Sequence, residues 1–219
     1  EMSSVSPTSI RAEVQERGSL GSFSVGNLLT LGILGITLIV FLVAPVLAMR
    51  WSTRPFPGFV VEQTLVISGV GGVYWNAQRI GINFPERVTQ IGENPVRTLQ
   101  EYRAALSGLV VGQPIEVHTV FPGGTKRIYP SVRLSAFSLR DLLTLFWLPY
   151  LVGLAYLLIG LWIYRRRGRT ITGRAFVFFC AFAALTTGLL FDLTTTHAAS
   201  ALWALSIASL GGSRMGLSL

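Results

Sequence analysis

Apolar residues do not alternate evenly with polar ones along this chain; they gather into blocks. Leu28–Ala48 (LLTLGILGITLIVFLVAPVLA), Leu142–Tyr164 (LLTLFWLPYLVGLAYLLIGLWIY) and Ala175–Phe191 (AFVFFCAFAALTTGLLF) are nearly continuous hydrophobic runs, and no charge falls between Arg17 and Arg50. A helix needs about 20 such residues to cross the hydrocarbon of a bilayer. The runs therefore predict transmembrane helices over 25–49, 141–164 and 175–191. A fourth run, 193–213, is richer in Ala and Ser and predicts a further span, with Ala201, Ala204 and Ala208 as a small-residue stripe for close helix packing. The first run is longer than the apolar core of a cleaved signal peptide, about 7 to 15 residues, so it reads as an uncleaved anchor. Residues 1–24 are polar, Ser-rich and read as an N-terminal tail.

Residues 50–140 have another texture. Five glutamates (Glu62, Glu86, Glu93, Glu101, Glu116) and several arginines interrupt short β-like runs and turn signals, which predicts a folded, water-facing domain. Phe59–Ser68 (FVVEQTLVIS) reads as a strand or two, Arg87–Ile91 as a short alternating strand, and Gly92–Pro95 as a turn. Thr98 followed by Glu101 is a capping box, which opens a helix over Leu99–Leu106. In that helix Leu99, Tyr102, Arg103 and Leu106 recur at spacings of three and four and form one stripe. Ile115–Phe121 and Lys126–Leu134 flank a Pro-Gly-Gly turn and read as a hairpin.

Charge then orients the chain. Only 13% of residues are charged, against about 25% in a typical soluble domain. The net charge of +8 raises the question of nucleic acid, but its densest cluster, Arg165, Arg166, Arg167, Arg169 and Arg174, lies between two apolar runs. That setting favours anionic lipid headgroups over nucleic acid. Short loops rich in Arg stay cytoplasmic. With 165–174 inside, the N-terminus is inside and residues 50–140 are extracytoplasmic.

The run Arg87-Val-Thr-Gln-Ile-Gly-Glu-Asn-Pro-Val96, a short helix, then Gly112-Gln-Pro-Ile-Glu-Val-His-Thr-Val120, a glycine turn and a last strand resembles the second half of a bacterial PDZ domain. Pro57-Gly58-Phe59 is similar to the loop that receives a peptide's terminal carboxylate in that family. Gly81 matches the upstream pattern, but Glu86-Arg87 stands where the family has Gly-Asp. The resemblance implies a groove in which a guest peptide adds as a strand. Gly58, Phe59, Val60 and Val61 would receive it, and Leu99, Tyr102, Arg103 and Leu106 would line the opposite wall.

A PDZ-like domain between spans also resembles intramembrane metalloproteases, yet the two histidines, His118 and His197, are far apart, and no His-Glu-x-x-His occurs. Asp141 and Asp192 are the sole aspartates and no nucleophile elbow is present. The lone Cys180 lies in an apolar run and reads as a small hydrophobe. No metal or cofactor is expected. The expected architecture is an α-helical bundle of about four spans carrying an extracytoplasmic α+β PDZ-like domain. The layout resembles the membrane part of multi-span bacterial sensor kinases, which implies a non-catalytic sensor in the bacterial inner membrane. Its expected partners are a peptide or protein at the external domain and membrane lipids. The alternative is an accessory subunit of a larger membrane complex or homo-oligomer.

Overall fold

The computed structural model describes residues 25–72, 74–168 and 170–216. The expected tail, 1–24, and Arg169 lie outside the described residues. The first apolar run forms α1 (Val25–Ser52), whose 28 residues reach about 42 Å at 1.5 Å per residue. That exceeds a hydrocarbon core of about 30 Å. Two buried threonines sit on α1. Thr30 and Thr37 donate to the carbonyls of Gly26 and Ile33 one turn back, at 2.6 and 2.8 Å, so neither hydroxyl is orphaned in an apolar setting.

After α1 the chain builds a small α+β domain. Its elements are α2 (Asn76–Arg79), β1 (Arg87–Ile91), β2 (Asn94–Pro95), α3 (Leu99–Leu106), β3 (Pro114–Val120) and β4 (Lys126–Arg133). The sheet is antiparallel with order β2-β1-β3-β4. Alternation buries Ile115 and Val117 of β3, and a register shift between Val88 and Gln90 brings Val88 and Ile91 of β1 to the same face as these and Val132 of β4, where Ile67, Ile82 and Tyr102 complete the core. The capping box forms as written: Thr98 Oγ1 accepts the Glu101 N–H at 3.2 Å, and the Glu101 carboxylate accepts the Thr98 N–H at 3.3 Å.

One strand expectation needs correction. Residues 59–68 make only isolated bridges, Val61 to Ile67 and Val66 to Arg87, and no regular strand. The segment folds back on itself through Glu62 N–H to Val66 C=O at 2.8 Å, so its outer side pairs with no other strand. Glu86 holds a second surprise. Its carboxylate is 0% exposed and accepts from the hydroxyls of Thr119 and Tyr129, the latter at 3.1 Å. A buried carboxylate is tolerable only when its oxygens are paired in this way.

Beyond the domain the chain re-enters long helices. In α4 (Leu139–Arg167) the ladder widens to a π segment at Leu143–Trp147. Pro149 follows within the next turn and cannot donate to the carbonyl four residues back, which accounts for the local widening. Next come α5 (Ile171–Gly188), a short α6 (Leu190–Thr194) and α7 (Ser200–Gly216). Three helical stretches, Val25–Ser52, Leu139–Arg167 and Ile171–Thr194, are long and apolar enough to cross a membrane. The fourth expected span, 193–213, is reshaped: Thr195–Ala199 leave the helix, and the apolar part of α7 is the shorter stretch Ser200–Gly211. The connection expected over 165–174 is also tighter. Arg165–Arg167 end α4, and α5 begins at Ile171, capped by Thr170 Oγ1 accepting the Gly173 N–H at 3.0 Å.

The α4–α5 contact depends on glycine. A Cβ on Gly153 would meet Phe41 Cζ and Thr187 Oγ1 at 2.6 Å and the Ala184 carbonyl at 3.0 Å; one on Gly160 would meet the Cys180 Cβ at 3.1 Å. Cys180 is buried there as a packing residue. Gly153→Val should therefore lower the thermal midpoint of the detergent-purified protein by overpacking worth about 1–3 kcal/mol. Gly35→Val on α1, with nothing within 4 Å, should leave it within about 0.5 kcal/mol.

Candidate functional site

The residues that the sequence nominated converge, with one exception. Phe59, Val60 and Val61 form one wall of a cavity of about 680 Å³, and Leu99, Tyr102, Arg103 and Leu106 of α3 form the other. Gly58 does not line it. Its φ is +84°, and a virtual Cβ would fall 2.9 Å from the Ala77 N. Only glycine lets this backbone lie against α2, so Gly58 shapes the turn that leads into the wall. Tyr102 serves both wall and core, being 6% exposed with its ring 6.5 Å from Phe59. Burial pushes its phenol well above the ordinary value.

The geometry of the first wall is that of an uncovered sheet edge. Extended chain turns the N–H and C=O of alternate residues to opposite sides. Val60 C=O accepts from Ser68 N–H at 2.9 Å and Glu62 N–H donates to Val66 C=O at 2.8 Å, both inward. Phe59 and Val61 therefore present their backbone groups outward. Among the described residues nothing bonds the N–H of Phe59 or Val61 or the C=O of Phe59. The Val61 C=O is taken by His197 Nε2 at 2.9 Å. A carbonyl only accepts, so Nε2 carries the proton.

That contact belongs to a part of the site that local pattern could not foretell. Thr194, the last residue of α6, and Thr195, Thr196 and Ala198, from the connection between α6 and α7, also line the cavity, as do Trp51 and Arg54 at and beyond the end of α1. Asp192 and His197 lie five positions apart at this end of the helices. Their side chains do not meet. The Asp192 carboxylate accepts the N–H groups of Ala198 and Ala199 at 3.1 and 2.8 Å, while the imidazole turns to the Val61 carbonyl.

The site is fastened to the long helices by two devices. Rings of Trp51, Phe56, Trp75, Phe137 and Phe191 meet edge to face, with centroids 4.9 Å apart for Trp51–Phe137 and for Phe56–Trp75; such pairs contribute beyond their area. Beside them Asp141, 4% exposed, accepts from Trp75 Nε1 at 2.9 Å, Ser138 Oγ at 2.6 Å and the Tyr74 hydroxyl. That hydrogen bond to Asp141 raises the Tyr74 phenol above its usual range, with burial adding to it.

The arginine cluster is elsewhere. Arg165, Arg166 and Arg167 are at the end of α4 and border a cleft of about 1100 Å³ with Asn27 and Thr170. Arg174, on α5, reaches Asn27 Oδ1 at 3.4 Å. His118 sits on β3 beside Glu116. Among the described residues no three His, Cys, Asp or Glu side chains gather as metal ligands would.

The fold and site thus define a helical membrane protein that carries a small α+β domain with an open edge. Compared with known proteins, the chain matches no family model, and no match to a curated protein reaches significance.

Proposed function

We propose that this chain is a non-catalytic membrane sensor or receptor region whose PDZ-like module binds a peptide or protein end by strand addition and reports through the helices. The observation that carries the reading is the outward edge of Phe59 and Val61, facing an amphipathic helix across a groove of about 680 Å³. Strand addition uses such backbone groups for affinity and the facing pocket for side-chain choice. The cavity falls within the usual size range of ligand sites, about 300–1,000 Å³. Arg165–Arg167, gathered at one end of the helices, favour a cytoplasmic position beside anionic lipid, which leaves the module extracytoplasmic. The ring cluster and Asp141 supply a stiff link from groove to helices.

Octapeptides with free carboxylates, presented to the detergent-purified protein, should bind, and Leu99→Glu on the groove wall should weaken them about tenfold or more. Amidated peptides that bind equally well would remove carboxylate capture. Unchanged binding by Leu99→Glu would remove the groove.

A second reading, an accessory subunit, is favoured by one observation. Ala201, Ala204 and Ala208 remain exposed on α7, while Ser206 is buried and Trp203 Nε1 donates to the Thr186 carbonyl of α5, so the small-residue stripe is left open to another helix. Migration as a fixed large assembly on a native gel would support it.

A further inference from the structure

We infer that the connection Thr195–Ala199, with the first residue of α7, is an internal competitor for the groove: a guest strand binds by displacing it, so occupancy is coupled to release of α7. The inference rests on the peptide-groove reading above and adds its regulation.

The connection touches both walls at once. On the edge side, His197 Nε2 donates to Val61 C=O at 2.9 Å. On the helix side, the Arg103 guanidinium donates to the Thr196 carbonyl. A third contact, Gln63 Nε2 to Ser200 Oγ at 2.7 Å, fixes the first residue of α7 to the chain just beyond the edge. A strand added along Phe59–Val61 would need the Val61 carbonyl for its own ladder. His197 therefore stands where the ladder would continue.

The competing contact is poised rather than deeply seated. His197 has φ +48°, a left-handed conformation that a non-glycine residue holds only when its surroundings impose it. Those surroundings are local: its N–H donates to the Asp192 carbonyl at 2.7 Å, and the Asp192 carboxylate caps the following turn. The other ring nitrogen, Nδ1, is buried with no hydrogen-bond partner, so the docked position leaves one polar atom unsatisfied. Displacement frees that atom, while the local contacts that hold the backbone of His197 stay with the connection. It costs the Val61, Arg103 and Gln63 contacts, of which the incoming strand replaces the first. A ligand shifts such an equilibrium only through its differential contacts with the two states, and here the shared carbonyl supplies them.

The test locks the connection in place. Gln63→Cys and Ser200→Cys are introduced together in a Cys180→Ala background and joined by a short reducible bis-thiosulfonate linker. Fluorescent octapeptides with free carboxylates are selected from a random library on the reduced protein. Linking should weaken them about tenfold or more, and reductant should restore binding; His197→Ala without the linker should bind the same peptides about three- to tenfold tighter, as the competent fraction rises. If linked and reduced protein bind alike, or His197→Ala leaves affinity unchanged, the competitor role is overturned while the groove stands. If the reduced protein selects no peptide, the groove reading fails and the competitor role falls with it.

Discussion

Tyr102→Asp will unfold the small domain rather than merely blunt its groove. The ring is 6% exposed and packs in the core with Phe59, Ile91 and Val117. Removing a buried aromatic costs about 3–5 kcal/mol. Placing an unpaired carboxylate in its position adds several kcal/mol more. Domains of this kind are stable by about 5–15 kcal/mol, so the change consumes most or all of that margin. Hydrogen exchange should show β1, β3 and β4 losing protection together while the amides of α1 and α5 stay protected. Protection retained throughout the sheet would show that the residue is wall and not core. Tyr102→Phe, which keeps the ring, should leave the sheet protected.

Asp141→Ala has the second largest expected effect, and it strikes the joint between domain and helices. The substitution leaves the indole N–H of Trp75, the Tyr74 hydroxyl and the Ser138 hydroxyl without their shared acceptor, and removes an acidic residue from the first turn of α4. A buried donor left unpaired costs about 1–3 kcal/mol, and Trp75 is the most enclosed of the three. The sum should reach about 3–5 kcal/mol, in line with breaking a buried charged network. The thermal midpoint should fall, and Trp75 should become accessible to an aqueous quencher. Asp141→Asn keeps one acceptor oxygen and should recover part of the loss. Equal behaviour of the two variants would show that packing, not hydrogen bonding, holds the joint.

Where local chemistry decides, the sequence was readable. The capping box placed α3 at Leu99–Leu106, and alternation placed β1 at Arg87–Ile91. The hairpin flanking the Pro-Gly-Gly turn formed within a residue of its expected limits. The apolar runs sit inside α1, α4 and α5–α6, whose helices continue into flanking polar residues because a helix, once formed, extends at little cost. What failed needed tertiary knowledge. Residues 59–68 have β-branched content, but a regular strand needs a partner along its length, and this segment makes only isolated bridges, to itself and to Arg87. The burial of Glu86 has no local signal, because Thr119 and Tyr129 close on it from β3 and β4. The approach of Thr194–Ser200 to the groove joins positions as far apart as Val61 and His197, 136 residues along the chain, with a hydrogen bond; no periodicity encodes such a meeting.

The ring cluster has a consequence for biogenesis. Trp51 and Phe56 emerge from the ribosome early and Phe137 later, but Phe191, which packs edge-on against Trp51 at 5.4 Å, is made last of the four. The seam between domain and helices cannot close until α6, which carries Phe191, has been made. Maturation therefore has a fixed order, and a nascent chain stalled before that point would display naked tryptophan and phenylalanine faces to quality-control proteases and chaperones.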